Sequence, residues 1–564
     1  MTNNTPQPNS PEARDTASLI HPLTNLKAHL KKGPLVIEEG MGVWVTDVDG
    51  KKYIEGMSGL WCLSLGYGQE RLVKAATDQM SRLPYYHLTN HKSHQPAIDL
   101  AEKLLEIAPV PMSKVWFSNS GSEANDSAVR IAWYYWHAKG KPQKRKIISH
   151  QRAYHGNTIA SASLSGMYYN HASFGLPLDG FLHVTPPHHY RYSNHGETKV
   201  DFARRLADEL DSLISSEGPE TIGAFFAEPI MGSGGVIIPP PTYFEQIQAI
   251  LKKYNILLVV DEVITAFGRT GNMFGTTTMD LNPDMLICAK GLSSAYIPIS
   301  ALMINARVFD VISEESDKIG VFGLSFTYSG HPVAAAVARE TLRIYENDNM
   351  VDHVQMMATH FLGGLNKLLD HPLVGEVRGI GLLAGVELVK NKATSEAFDP
   401  VLNVGPFCVK CAENHGLIGN QFYDSKFDDY YTLSNRSKVE DPKFYDGEPI
   451  WVTAEKNDII TATYFWVGSE AKIGGYYPTY YKNYESGINP YAKVDQAIEW
   501  LEYPVSSRPR LVCLYFEEPD HAGHVFGPNS IEVTNQIKSS DDILGYLLKS
   551  ISKIDIFDKI NVVI

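Results

Sequence analysis

Two neighbouring stretches of sequence decide the fold: LLVVDEVITAFGRTG at residues 257–271 and PDMLICAKGLSSAYIPISALMI at residues 283–304. Each contains a continuous apolar run that ends at a charged side chain, Asp261 in the first and Lys290 in the second. A short run that is apolar on both faces is typical of a strand buried on both sides of a sheet. The two stretches therefore predict buried strands that carry ionisable groups at their ends.

The same pattern of short apolar runs extends over residues 34–420. GAFFAEPI at 223–230 is another apolar run, and helical stretches such as residues 70–83 and 242–254 alternate with the runs. Buried strands that alternate with amphipathic helices form a mostly parallel sheet covered on both faces. The predicted fold class is therefore α/β.

The composition changes beyond residue 420, where tyrosine becomes abundant. Of the 30 tyrosines in the chain, 14 lie in residues 421–564, in segments such as GGYYPTYYKNY at 474–484. We interpret this change as the start of a second unit, joined to the first near residues 414–420.

Length and composition exclude several classes of protein. The chain has 564 residues, a formal net charge of −14 and no basic stretch that would follow a phosphate backbone, so no nucleic-acid partner is expected. No window of about 18 apolar residues predicts a membrane span, and the polar residues 1–19 predict a disordered tail on a soluble protein. Five scattered cysteines indicate a reducing compartment, and the expected location is cytoplasmic.

Lys290 and Asp261 are the first candidates for chemistry. An amine that must form a Schiff base has to be partly unprotonated, and burial beside an apolar strand lowers the pKa of a lysine. A carboxylate at the end of a buried strand is costly without a cationic partner. Each residue also has a structural interpretation, because a lysine at a strand end can extend to solvent and a buried aspartate can cap a turn.

Two further motifs favour the binding of a flat, phosphorylated ligand. SNSGSEANDSAVRIA at 118–132 places a small turn at the start of a helix, where free N–H groups and the helix dipole suit a phosphate. A helix N-cap explains the same residues equally well. RAYHGNT at 152–158 offers an aromatic side chain followed by a flexible turn, which is suitable for stacking on a ring.

Together these motifs resemble those of the class III aminotransferases, and most closely those of the ω-amino acid:pyruvate transaminases, which are pyridoxal-phosphate enzymes of fold type I. The resemblance covers residues 34–420. The motifs that carry it are GMGVWVTDVDGKKYIEGMSGLWCLSLGYG (40–68), SNSGSEAND (118–126), AEPI (227–230), VVDEVITAFGRTG (259–271), AKGLSSAYIPI (289–299) and FTYSGHPVA (326–334).

The resemblance implies a role for individual residues. Lys290 is similar to the catalytic lysine that carries the cofactor and moves a proton, and Asp261 to the catalytic aspartate that pairs with the ring nitrogen. The other residues implied to bind the cofactor are Gly121 and Ser122 at its phosphate, Tyr154 and Val263 on its two ring faces, the active-site Glu228, and Thr327, which reaches the phosphate of the neighbouring subunit. Trp61 and Tyr154 are implied to line the substrate pocket.

The implied reaction moves an amino group from an amine or ω-amino acid to a keto acid such as pyruvate, in a homodimer. Family members continue after a GLI element into a segment whose arginine pairs with the carboxylate of the acceptor, and this continuation is absent here. We therefore expect latent or impaired turnover. No membrane and no nucleic acid are expected among the partners.

The last part of the chain resembles the nucleotide pyrophosphatase/phosphodiesterase family of the alkaline phosphatase superfamily. The motifs are GEPIWVTAEKN (447–457), TATYFWVGSE (461–470), VDQAIEWL (494–501) and LYFEEPDHAGHVFGP (514–528). This resemblance implies that Asp520 and His524 are two ligands of one zinc ion and that Asn420 contacts phosphate. The nucleophilic threonine and the first metal aspartate of that family lie upstream of HGLIGN, where this chain is transaminase-like, so we predict no phosphodiesterase activity.

The simplest hypothesis is a chimera of a transaminase core and an incomplete phosphodiesterase segment. Two alternatives stay open: a non-catalytic chimeric fusion, and a metal-dependent nucleotide phosphodiesterase that would use zinc if the half-site is retained. The predicted divisions are a tail with the start of the small domain (1–33), the N-terminal part of the small domain (34–70), a large cofactor-binding domain (71–330), a truncated C-terminal small domain (331–418) and a phosphodiesterase-like fragment (419–564).

Overall fold

A computed structural model of the chain describes residues 9–398, 421–424, 429–432, 436–445, 447–485, 487–519, 522, 530–560 and 562. The described residues up to 398 form one compact unit, and those from 421 onward form a second. The sequence positions Asn420, Asp520 and His524 lie outside the described residues, so the structure does not place the predicted zinc ligands or phosphate contact.

The first unit contains twelve strands among its described residues. In chain order they are β1 (Ile37–Met41), β2 (Trp44–Asp47), β3 (Lys52–Ile54), β4 (Lys114–Ser118), β5 (Lys146–His150), β6 (Phe181–Val184), β7 (Ile222–Ala227), β8 (Leu257–Asp261), β9 (Met285–Cys288), β10 (Ser300–Ile304), β11 (Val374–Ile380) and β12 (Leu383–Leu388).

Of the fifteen helices described in this unit, eight have three turns or more and seven are shorter. They are α1 (Pro11–Ser18), α2 (Leu26–Lys32), α3 (Ser58–Trp61), α4 (Glu70–Arg82), α5 (Gln95–Ile107), α6 (Gly121–Ala138), α7 (Ile159–Leu164), α8 (Tyr168–His171), α9 (His189–Tyr192), α10 (Lys199–Glu217), α11 (Tyr243–Lys253), α12 (Gly275–Thr278), α13 (Ala306–Ile319), α14 (Pro332–Asn347) and α15 (Met350–Asn366). The predicted helices over 70–83 and 242–254 are confirmed as α4 and α11.

A seven-stranded sheet with the order β4-β10-β9-β8-β7-β5-β6 forms the centre of the unit. β10 runs antiparallel to both of its neighbours, and the other pairs are parallel. The prediction of an α/β fold with a mostly parallel sheet is confirmed. β1 to β3 form a separate antiparallel sheet, and β11 pairs with β12 in an antiparallel hairpin.

The central strands are apolar throughout because helices cover both faces of the sheet. Phe226 and Val259 pack on one face with Trp136 of α6. Phe225 and Leu258, the alternate residues of the same strands, pack on the other face with α10 and α11. Since successive side chains of a strand point to opposite faces, a continuous apolar run was required here.

The N-terminal segment differs from its prediction. Residues up to 19 were expected to be a disordered tail, but α1 begins at Pro11 and α2 follows it. The hydroxyl of Ser10 accepts a hydrogen bond from the N–H of Ala13 at 3.2 Å, and proline occupies the first helical position. A serine cap followed by proline is a helix start signal, so the expectation of disorder is wrong for the described residues from Asn9 onward.

The second unit has its own small core. Its strands β13 (Gln421–Asp424) and β14 (Asp429–Thr432) form an antiparallel pair, and β15 (Thr461–Tyr464) lies between β16 (Tyr480–Lys482) and β17 (Leu511–Leu514) in a parallel sheet. Among its described residues, helices span Arg436–Val439, Ile450–Glu455, Pro490–Leu501 and Ile531–Ile551. Trp500 packs with Ala462 and Phe465 against this sheet.

Across the described ranges, none of the helices combines the length and the apolar character that crossing a bilayer requires. The cysteines in those ranges, Cys62, Cys288 and Cys513, are all free thiols.

Candidate active site

The structure brings Lys290 and Asp261 to the same edge of the central sheet. β8 and β9 are parallel neighbours in which Asp261 is paired with Ile287, so the carboxyl ends of the two strands lie side by side. Lys290 follows β9 in a single 3-10 turn, Lys290–Leu292, with a φ of +45°. Both side chains line one cavity of about 340 Å³.

Most of the other predicted residues line the same cavity. These are Gly121, Ser122, Tyr154, Glu228 and Val263. Trp61 lies beside it, with its ring centre 5.6 Å from the Nζ atom of Lys290. Thr327 is exposed and is not among the described residues that line the cavity. Its carbonyl oxygen accepts a hydrogen bond from the hydroxyl of Tyr85 at 2.8 Å.

Lys290 lies where its amine binds a proton less tightly than an exposed lysine does. Burial lowers the pKa of Lys290, and the negative charges of Asp261 and Glu228 only partly oppose this effect. A lysine with a lowered pKa is a better nucleophile and a better proton acceptor near neutral pH. The structure thus agrees with the chemical reason for singling out this residue in the sequence.

Asp261 is buried and held by three hydrogen bonds. Its Oδ2 atom accepts from Nδ2 of Asn125 at 2.8 Å and is 2.8 Å from Nδ1 of His155, and its Oδ1 atom accepts from the N–H of Val263 at 3.0 Å. Burial alone would lower the pKa of His155, but its hydrogen bond to Asp261 and the charges of Asp261 and Glu228 raise it. The buried carboxylate is therefore fully hydrogen-bonded, and its pairing with His155 favours the protonated form of that imidazole.

Neither His155 nor Asn125 was predicted as a site residue, although they lie in the motifs RAYHGNT and SNSGSEAND. His155 follows Tyr154 directly, and Asn125 lies one turn into α6. Their separations from Asp261, 106 and 136 residues, leave no periodic signal of the contact. Within the described part of the chain, Nε2 of His155 and Oδ1 of Asn125 have no hydrogen-bond partner although they are buried.

Glu228 connects two loops at the edge of the cavity. Its Oε1 atom accepts from the N–H of Tyr154 at 3.1 Å, and its Oε2 atom accepts from the N–H of Gly232 at 2.9 Å. Burial raises the pKa of Glu228 to about 7, with the nearby charge of His155 acting in the opposite direction. The side chain fixes the backbone on which the aromatic ring of Tyr154 is carried.

The start of α6 forms another wall of the cavity. The hydroxyl of Ser120 caps the helix by accepting from the N–H of Glu123 at 3.2 Å. A Cβ atom on Gly121 would lie 3.0 Å from the side chain of Val263, and one on Gly156 would lie 2.7 Å from the Cα atom of Ser122. Because both positions lack a side chain, the loop at Gly156 packs closely on a helix end whose free N–H groups attract anions.

Replacement of Glu228 by glutamine should change how stability depends on pH. The folded-state pKa is raised above 4.5, so the bound proton contributes stability that is fully present below about pH 4.5 and lost as the pH rises through 7. The free energy of unfolding of the wild-type chain should therefore fall by up to about 3 kcal/mol between pH 4.5 and pH 8 because of Glu228. Urea unfolding at several pH values should give a flatter profile for Glu228→Gln. The exposed Glu102→Gln variant should keep the wild-type slope, and equal slopes in all three proteins would contradict the assignment.

Comparison with known proteins identifies the family of the first unit. Residues 27–424 match the family model described as aminotransferase class-III. The chain belongs to the class III aminotransferases. As such it is a pyridoxal-phosphate-dependent transaminase that transfers amino groups between amines and keto acids. Residues 410–564 match a second model, type I phosphodiesterase / nucleotide pyrophosphatase, so the expected two-part organisation of this aminotransferase is confirmed.

Several relatives of this aminotransferase are similar over the first unit. Gamma-aminobutyrate transaminase 1, mitochondrial, from Oryza sativa subsp. japonica is 50% identical over 387 residues, which are 68% of this chain and 75% of the relative. Gamma aminobutyrate transaminase 3, chloroplastic, from Solanum lycopersicum is 49% identical over 386 residues, 68% of this chain and 74% of the relative. A crystal structure of the omega transaminase from Pseudomonas jessenii in complex with PMP has a TM-score of 0.69 and 53% identity, and covers 69% of this chain and 86% of that one.

The cavity of this aminotransferase fits pyridoxal phosphate. A buried carboxylate suits the ring nitrogen, a lysine with a lowered pKa suits covalent attachment, and the N-terminus of α6 suits the phosphate. Oδ1 of Asn125 and Nε2 of His155 are buried and have no hydrogen-bond partner among the described residues. These two side chains are also the ones that bind Oδ2 of Asp261.

Proposed function

We propose that the chain transfers an amino group from an amine or an ω-amino acid to a keto acid such as pyruvate. The placement of Lys290 and Asp261 on one cavity carries this proposal, because transamination needs a proton-transferring amine beside a group that keeps the cofactor ring electron-withdrawing. The names of the relatives, gamma-aminobutyrate and omega transaminases, support an amine at the end of a chain as donor.

Each residue of the cavity has a separate role in the proposed reaction. When bound, pyridoxal phosphate supplies the electron sink for breaking a bond at the amine-bearing carbon. Lys290 holds the cofactor and moves the proton at its Nζ atom, Asp261 keeps the ring nitrogen protonated, and Gly121 with Ser122 binds the phosphate. Tyr154 and Val263 cover the two ring faces. Glu228 fixes the loop of Tyr154, and Trp61 borders the substrate space beside Lys290.

The visible absorbance spectrum tests this function directly. The purified chain mixed with pyridoxal phosphate should develop a band distinct from that of the free cofactor, and addition of an amine donor should bleach it. Subsequent addition of pyruvate should restore the band, because the second half-reaction returns the amino group. This step should be slow, since the segment whose arginine pairs with the acceptor carboxylate in the family is missing here. A chain that forms no band would favour the alternative of a non-catalytic fusion.

We also propose that the active form is a homodimer in which Thr327 contacts the cofactor phosphate of the partner. Thr327 lies in an exposed aromatic cluster, in which the rings of Tyr85 and Tyr328 are 5.8 Å apart. Exposed apolar clusters of this kind favour association. Light scattering should therefore give twice the chain mass of 62.7 kDa, whereas a monomeric active enzyme would contradict the proposal.

We propose a cytoplasmic location, supported by the free thiols of Cys62, Cys288 and Cys513. The rice relative is named as a mitochondrial protein. Cell fractionation with an antibody against the second unit distinguishes the two compartments, since recovery of the chain with mitochondria would contradict a cytoplasmic location.

Phosphodiesterase activity is expected to be absent. Two-metal displacement at phosphorus needs a metal clamp and an activated nucleophile together, and the sequence upstream of HGLIGN supplies transaminase motifs in place of the nucleophile. Hydrolysis of a nitrophenyl phosphodiester with added Zn²⁺ should stay at the level of the buffer. Turnover that is lost in Asp520→Ala would contradict this prediction.

A further inference from the structure

A group of three potential metal ligands lies in the N-terminal segment, within the first unit and separate in sequence from the cavity residues. The group consists of Asp15, His21 and His29. The Nε2 atoms of His21 and His29 lie 2.9 and 3.1 Å from the same oxygen, Oδ1 of Asp15. All three ligand atoms lie within 4.8 Å of one another, so they converge on one point.

Each ligand is held by a different piece of local structure. Asp15 lies on α1, which is capped by Ser10. His21 follows this helix, and His29 lies on α2, whose start is capped when Oδ1 of Asn25 accepts from the N–H of Ala28 at 3.0 Å. The two imidazole rings are 4.0 Å apart and tilted by 32°, and both Nε2 atoms face the carboxylate of Asp15.

The geometry points to a site for a divalent cation of the zinc class, and we propose that Asp15, His21 and His29 bind one such ion. Nitrogen and oxygen ligands lie about 2.0–2.1 Å from zinc, so tetrahedral ligands are separated by about 3.3 Å. The observed separations of 2.9 and 3.1 Å need only small side-chain movements to reach that value. Two imidazoles and one carboxylate are a ligand set that zinc accepts, with water in the fourth position.

Binding requires a defined rearrangement of protons. In the absence of metal the imidazoles donate Nε2–H to the carboxylate, and ligation needs the neutral tautomer with the hydrogen on Nδ1. His29 is buried while Asp15 and His21 are partly accessible, so an ion can enter from the side of His21. The bound ion would link α1 to α2 through Asp15 and His29. Because the ion binds only the folded arrangement of the ligands, it would stabilise the N-terminal segment against unfolding.

Titration of the full-length holoenzyme with Zn²⁺ tests the site. The chain is stripped with a chelator, freed of excess cofactor and titrated calorimetrically, and the variants His21→Gln/His29→Gln and Asp520→Asn/His524→Gln are treated in parallel. We expect the N-terminal double variant to bind one equivalent less than the wild type, and the C-terminal double variant to keep that equivalent. Binding of Co²⁺ should give a visible absorption band that disappears in the N-terminal variant.

Two controls separate loss of ligands from loss of folding. His195→Gln removes an exposed histidine and should bind as the wild type does. Asp15→Asn keeps an oxygen that can accept from both imidazoles but removes the charge, and should weaken Zn²⁺ binding by at least about tenfold. The same Zn²⁺ stoichiometry and affinity in the wild type and in the His21→Gln/His29→Gln variant would overturn the proposal, as would the absence of Zn²⁺ binding to the wild type.

Discussion

Replacement of Lys290 by alanine is expected to abolish amine transfer. The variant loses the only group proposed to move a proton at the amine-bearing carbon, and a general base at such a step contributes a rate factor of about 10² to 10⁴. It also loses the nucleophile that attaches the cofactor. Turnover of an amine with pyruvate should fall by at least about 10³-fold, and the visible band that amine bleaches in the wild type should be missing.

Lys144→Met is a matched control for this experiment. Lys144 is also a buried lysine, and burial lowers its pKa to about 8. Its Nζ atom donates to the carbonyl oxygens of Tyr254 and Asn255 at 3.1 and 3.0 Å, and it does not border the cavity among the described residues. The folded Lys144→Met protein should keep the spectrum and turnover of the wild type, although its unfolding temperature falls. Retention of amine-dependent turnover in Lys290→Ala would disprove the proposed mechanism.

Replacement of Asp261 by asparagine should lower turnover by about 10²- to 10³-fold, since a preorganised charge beside the reacting ring is lost. The amide cannot keep the ring nitrogen protonated, and it cannot accept from Asn125, His155 and Val263 at once. The raised pKa of His155 should also fall, because the partner that stabilises its cation is gone. Rapid-mixing spectroscopy of the first half-reaction, together with cofactor affinity, measures the effect.

Glu262, the residue after Asp261, offers a control variant that should lose stability but keep its turnover. Glu262 is fully buried, and its carboxylate accepts from the hydroxyl of Thr265 and from the N–H groups of Gly275 and Thr276. Glu262→Gln places an amide donor against these donors, which should cost about 1–3 kcal/mol of stability. Folded Glu262→Gln should transaminate normally. Equal turnover losses in the two variants would mean that Asp261 acts through folding alone.

Much of the fold could be predicted because its determinants are local or periodic. The apolar runs of β7, β8 and β9 follow directly from burial on both faces, and the helices α4 and α11 from their apolar periodicity. The serine cap and proline at the start of α1 carried an equally local signal, which compositional reasoning about residues 1–19 overlooked. The second unit was also apparent from sequence, because its tyrosine content and motifs change abruptly after residue 420.

The sequence by itself predicted which residues of the first unit would meet at one cavity: a lysine, an aspartate and a glycine turn, each next to a buried strand or a helix start. Only the tertiary structure decided how these residues are tuned. The contacts of Asp261 with His155 and Asn125 join positions 106 and 136 residues apart. Burial sets the pKa directions of Lys290 and Glu228, whereas pairing with Asp261 sets that of His155. Desolvation and charge pairing depend on what surrounds a group in space, and spacing along the chain does not encode them.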